Sequence, residues 1–198
     1  MQLETFYHIY NHANGSENLF RVEDNYRFFL EKWGKYVEPV ADTYAYCLMP
    51  NHFHALVKIR EENVLLDLQG FRNLGGIHRC EKIVSKHFSN LFNSYTKAYN
   101  KMYERKGSLF QPNFKSKPIT SDHYLTNIIF YIHHNPLHHG FCKHIEDWPH
   151  SSYHALVSDK LTRLQRKEIQ EWFGSKEELR KFHNQSIKGL EKLENEFT

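Results

Sequence analysis

The sequence predicts an α+β domain of ferredoxin-like plan: an antiparallel sheet with helices packed on it, followed by a charged helical extension. Three observations lead there. Short runs rich in β-branched and aromatic residues recur near residues 5–12, 40–48 and 53–60, which is strand composition. Apolar residues elsewhere fall at helical spacing, as in Tyr26, Phe29 and Leu30, and again in Leu125, Ile128, Ile129 and Ile132. Met49-Pro50-Asn51 is a tight connection between two of the strands, as antiparallel neighbours allow and parallel ones do not.

The elements follow in order. Residues 5–12 read as the first strand, and Asn14-Gly15-Ser16 is a turn signal whose loop runs to about residue 21. Residues 22–33 form an amphipathic helix, 40–48 the second strand and 53–60 the third. Residues 63–68 receive no assignment. Leu74-Gly75-Gly76 is a flexible lead-in to a long helix over residues 77–105, and residues 107–113 form a loop. Residues 114–119 make a fourth strand, where Pro118, which has no N–H for a ladder, marks an edge or an end. Ser121 or Asp122 caps a helix from Tyr124 to Asn135. Pro136 disfavours helix in the residue before it and so places Asn135 at or near the helix end. Past Val157 the composition turns charge-rich, with two helices, Thr162–Trp172 and Lys176–Leu193, the second opened by a capping box at Ser175-Lys-Glu-Glu178. The chain thus divides into residues 1–157 and a helical extension, residues 158–198, that packs on the core or holds DNA or a partner.

At 198 residues one domain has room for a sizeable core. A mean hydropathy of −0.70 and the lack of any apolar run near 18 residues exclude a membrane-spanning helix. The start, Met-Gln-Leu-Glu-Thr-Phe, lacks the basic and apolar regions of a signal peptide, so a cytoplasmic protein is expected. Cys47, Cys80 and Cys142 are odd in number and scattered, which suits reduced thiols. A net charge of +3 is a weak sign of nucleic-acid binding. The distribution is stronger: Lys97, Lys101, Arg105, Lys106, Lys115 and Lys117 face one acid, Glu104, within residues 97–117. Tyr95, Tyr99, Tyr103, Phe110 and Phe114 are interleaved with them. Cations can follow phosphates and aromatic faces can stack unpaired bases; the four-residue tyrosine spacing assigns roughly half of these rings to packing. The six cations are the candidate DNA-binding residues.

The chemistry concentrates in two segments. His52-Phe53-His54 lies in a strand, so both imidazoles point to one face. Taken alone, the pair is balanced between metal binding and a structural role. In Tyr131-Ile-His-His-Asn135, Tyr131 and Asn135 are one helical turn apart on one face. A phenol, an amide oxygen and two imidazoles suit one divalent ion and one phosphate, whereas a zinc hydrolase wants three His, Asp, Glu or Cys ligands. His133 or His134 is a candidate for proton transfer near Tyr131, and His138 and His139 read as surface or phosphate contacts.

Pro50-Asn-His-Phe-His54 followed by Tyr131-Ile-His-His-Asn-Pro136 resembles the HUH single-tyrosine transposases, and most of all the REP-associated tyrosine transposases, which act on bacterial repetitive extragenic palindromes. Tyr7-His-Ile-Tyr-Asn-His12 resembles the first strand of that family. Leu109-Phe-Gln-Pro-Asn-Phe114 resembles the segment before its tyrosine helix, and Asp147-Trp-Pro-His-Ser-Ser-Tyr153 resembles its Trp-Pro-x-Ser-Ser-Tyr block. The resemblance covers residues 5–155 and implies the same antiparallel sheet with the tyrosine helix across it. It also implies His52, His54 and Asn135 as ligands of Mg²⁺ or Mn²⁺, and Tyr131 as the nucleophile. The implied reaction cleaves single-stranded DNA through a 5′-phosphotyrosine with a free 3′-hydroxyl, on hairpin-containing DNA at the bacterial nucleoid. Relatives work as monomers or as homodimers. A non-catalytic hairpin-binding descendant is the alternative expectation.

Overall fold

A computed structural model describes residues 1–68, 77–121 and 123–185. Four strands, β1 (Phe6–His12), β2 (Ala41–Met49), β3 (His52–Ile59) and β4 (Lys115–Ile119), form one antiparallel sheet in the order β2-β3-β1-β4. The helices among the described residues are α1 (Glu23–Tyr36), α2 (Glu62–Asp67), α3 (Ile77–Met102), α4 (His123–His138), α5 (Tyr153–Val157), α6 (Arg166–Phe173) and α7 (Lys176–His183). The α+β plan is as expected, and each strand lies within a residue or so of its sequence reading. Residues 62–67, left unassigned by pattern, form the short α2. The lead-in Leu74–Gly76 and the cap candidate Asp122 lie outside the described residues, and the last helix, expected to run to Leu193, ends at His183 with Asn184 as its C-cap.

Strand periodicity decides which side each residue serves. Phe53, Ala55 and Val57 face α1 and α3, in a core with Ile9, Phe29, Trp33, Phe88 and Tyr95. Burying a side chain such as Phe53 is worth roughly 1.5–3 kcal/mol. The alternate residues of β3, His52, His54 and Leu56, turn to the opposite face, which α4 covers. The second core lies there: Tyr44, Cys47, Leu56, Ile128, Ile132 and Leu156, joined by Ile169 of α6 and Leu179 of α7. Residues of the charged extension therefore bury apolar side chains against the tyrosine-bearing helix. The expected cap is present, with Ser175 Oγ accepting from Glu178 N at 3.1 Å.

Both outer edges of the sheet are managed. Pro118 sits on β4, at one edge. The outer edge of β2 is bonded by the Trp-Pro-His-Ser-Ser-Tyr block: Leu48 N donates to His150 O, Ser152 N to Tyr46 O, and Tyr46 N to Ser152 Oγ, each at 2.9 Å.

One expectation is corrected. Pro136 does not end its helix; α4 runs on to His138. Proline removes only the donor to the Ile132 carbonyl, and so near a C-terminus that loss is small. The ladder resumes at once, His139 N donating to Asn135 O at 2.9 Å and Phe141 N to Pro136 O at 2.8 Å. Gly140, at φ 72°, then takes the left-handed conformation that ends the helix.

Candidate active site

The two-residue hairpin Pro50-Asn51 sets the register of β3 against β2, pairing Met49 with His52. On its other side β3 pairs with β1, Tyr10 opposite His54 and His12 opposite His52. Partners in a ladder share a face, so His8, Tyr10 and His12 join His52 and His54 beneath α4. His12 stacks on His52 at 4.6 Å and 8°. His8 stacks near His54 at 5.0 Å and 14°, with His8 Nε2 2.9 Å from His54 Nδ1. His52 Nδ1 lies 2.7 Å from Asn51 Oδ1. An amide oxygen only accepts, so this nitrogen carries the proton and Nε2 the lone pair. Among the described residues neither His52 Nε2 nor His54 Nε2 has a hydrogen-bond partner.

From α4, Tyr131 meets His54 edge-on (5.5 Å, 89°) and also His8 (5.9 Å, 88°). His139 meets His52 edge-on (4.9 Å, 82°). Asn135 lies midway along the same helix face, buried, its Nδ2 donating to Tyr131 O at 2.8 Å. That bond points the amide nitrogen back into the helix and leaves Oδ1 as the end able to meet a cation.

Burial, reinforced by the neighbouring imidazoles, lowers His54 well below the usual histidine range and His52 to about 3. Burial also lowers His12, with His139 adding to the effect. His52 and His54 are therefore neutral near pH 7, the form that binds metal. Among the described residues no group of three His, Cys, Asp or Glu is arranged to hold a metal ion. A zinc centre with three such ligands is thus not built from the described residues. The donor set of two neutral imidazoles and one amide oxygen fits a divalent ion that takes its remaining oxygens from water or phosphate.

Pattern reading missed His8, Tyr10 and His12 as site residues; His139, read as a surface or phosphate contact, is exposed and lies edge-on to His52. The signal for the first three was present: His8-x-Tyr10-x-His12 alternates like His52-x-His54. The candidate role of His133 and His134 near Tyr131 is not supported. His133 turns away, with its ring nitrogens 2.9 Å from His183 Nε2 and 2.7 Å from Ser152 Oγ. His134 is held by the Phe130 and His183 carbonyls.

The basic stretch divides across the sheet. Lys115 pairs with Tyr10 and Lys117 with His8, which puts both on the face of the histidines. Lys97 and Lys101 lie on α3, which packs on the opposite face, and Arg105 and Lys106 follow it. Arg105 is engaged by Asn100 Oδ1 at 2.6 Å and Glu17 at 3.4 Å. The aromatic share is also corrected: all five interleaved rings pack. Tyr95, Tyr99 and Phe110 are core residues, and Tyr103 and Phe114 lie against that core.

No protein-family model matches the chain. Over 120 residues it is 28% identical to a Haemophilus influenzae protein provisionally named a REP-associated tyrosine transposase; the match covers 61% of this chain and 63% of that one, a little under two thirds. In fold it is similar to the solved structure of a REP-associated tyrosine transposase bound to a REP hairpin, with a TM-score of 0.56 and 18% identity over 82% of this chain and 84% of the other.

Proposed function

We propose that the chain cuts and rejoins single-stranded, hairpin-containing DNA in the manner of a REP-associated tyrosine transposase, with Tyr131 as nucleophile. The observation that carries this reading is the alignment of Tyr131 over His54, with Asn135 one turn along the same helix face. Similarity to the Haemophilus influenzae protein and to the hairpin-bound structure supports it.

In the proposed reaction the Tyr131 oxygen attacks a backbone phosphorus, forming a P–O bond while the bond from phosphorus to the 3′ oxygen breaks. The phenolic proton goes to solvent, and the departing oxygen takes up a proton to become a 3′-hydroxyl. The phosphotyrosine conserves the ester, so a 3′-hydroxyl attacking in reverse restores a phosphodiester and releases the tyrosine. His52, His54 and Asn135 would hold Mg²⁺ or Mn²⁺, which polarises phosphoryl oxygens when bound. Lys115 and Lys117, on the same face, would grip the strand; Lys97, Lys101, Arg105 and Lys106 would meet DNA only where it passes to the other side. Such work places the protein with bacterial DNA in the cytoplasm.

One observation favours a second reading, a hairpin-binding protein that does not cleave. Tyr131 is only 2% exposed, so a phosphate reaches it only after its surroundings open. A denaturing gel separates the two. Labelled single-stranded palindromic repeats with Mn²⁺ should give a covalent adduct with wild type and none with Tyr131→Phe. Binding on a native gel without an adduct in either protein would favour the second reading.

A further inference from the structure

We infer that His8 is a positioning residue: by accepting the Nδ1–H of His54 it fixes that ring's tautomer and aims its Nε2 lone pair at the cation position. The inference rests on His54 being a ligand.

The 2.9 Å contact between His8 Nε2 and His54 Nδ1 admits two directions in the neutral pair. If His8 donates, the single proton of His54 sits on Nε2, which then cannot bind a cation. If His8 accepts, His54 donates from Nδ1 and its Nε2 is free to ligate. The second direction makes His54 match its neighbour, because Asn51 Oδ1 already holds His52 as the Nδ1–H form. Both strand imidazoles are then anchored at δ and present ε. Metal-bound histidines commonly use their second nitrogen in this way, usually toward a carboxylate or carbonyl; here the acceptor is another imidazole.

Packing holds the geometry. Tyr10 stacks on His54 at 5.5 Å and 17°, while Tyr131 stands edge-on to both rings. His8 itself is fully buried on a strand inside the sheet. An apolar residue would cost less there, since a buried imidazole must be matched by a hydrogen bond.

The test uses the full chain and two readouts besides cleavage. Long-range ¹⁵N–¹H NMR on the metal-free protein should show His54 protonated at Nδ1. Titration with Mn²⁺ alone should give an affinity that falls about 10–100-fold in His8→Phe, the usual size for losing such a partner. That variant keeps a ring of similar size and should bind hairpin DNA without metal as wild type does. His8→Gln, which offers an amide oxygen, should recover much of the Mn²⁺ affinity. His54 protonated at Nε2 in the wild type would overturn the inference even if the variants failed to fold. So would Mn²⁺ affinity unchanged in His8→Phe. Wild type that binds no Mn²⁺ would remove the ligand reading of His54 itself, and the role of His8 with it.

Discussion

Histidines crowd both sides of α4, and the two groups are wired differently. Behind the helix, His183 Nδ1 contacts the Leu179 carbonyl at 2.9 Å, so it must donate and its Nε2 must accept. His133 Nδ1 is the donor, 2.9 Å away. His133 Nε2 then accepts from the Ser152 hydroxyl at 2.7 Å, and Ser152 Oγ in turn receives Tyr46 N at 2.9 Å. Every nitrogen of His133 and His183 is used within the chain, in one run of bonds from the sheet through α4 to α7. In front of the helix, His52 and His54 are, among the described residues, each bonded at δ only. Both groups are buried, and burial lowers the proton affinity of both. Burial therefore does not distinguish a candidate ligand from a structural histidine; the count of satisfied nitrogens does.

The largest expected effect breaks that comparison into two phenotypes. His52→Ala should lower metal-dependent adduct formation by more than the roughly 10–100-fold expected of an outer partner, with a modest change in Tm. His133→Leu should do the reverse. It strands the Ser152 and His183 groups, at about 2–4 kcal/mol of stability, while the folded fraction keeps its cleavage rate. Thermal melts and single-turnover cleavage on the same preparations measure both; equal losses of activity from the two sides would sink the distinction.

A pH series sharpens it. Burial pulls His183 down to about 4, against about 6.5 for an exposed histidine. The unfolded chain therefore binds this proton more readily than the folded one, and stability, complete above about pH 6.5, declines as pH falls toward 4. His52 adds to the same decline from the other side of the helix. His183→Leu should make the fall of Tm across that interval shallower than in wild type; an unchanged slope by calorimetry would contradict the assignment.

The smallest effect compares the two sides of the sheet. Lys115→Ala and Lys117→Ala should each weaken hairpin binding a few-fold and reduce the salt dependence by about one ion. Lys97→Ala and Lys101→Ala, on α3, should change both less. Equal effects at all four positions, read by fluorescence anisotropy at several salt concentrations, would mean that the strand wraps both faces.

Much of this was legible beforehand, for identifiable reasons. Alternation marks β1 and β3, and the His-x-His spacing puts two imidazoles on one side whatever the strand order. Tyr131 and Asn135 share a face because four residues make about one turn. What escaped depends on contacts distant in sequence. His8 becomes significant only through the β1–β3 register, which no local pattern states. The basic stretch looked continuous because its residues are consecutive, but the loop around residues 107–113 carries the chain from α3 on one side to β4 at the sheet's edge. Pro136 misled because the rule against proline in helices weakens within the last turn, and that extra turn is what delivers His139 to His52.

The cover on β2 also has a history in time. Ser152 meets Tyr46 across 106 residues, so a ribosome making roughly 5–20 residues per second emits the bare outer edge some 5–20 s before its cover. During that interval the edge is a template for any neighbouring extended chain. Crowded polysomes carrying this message should therefore aggregate through residues 41–49 unless a chaperone shields the nascent strand until the Trp-Pro-His-Ser-Ser-Tyr block emerges.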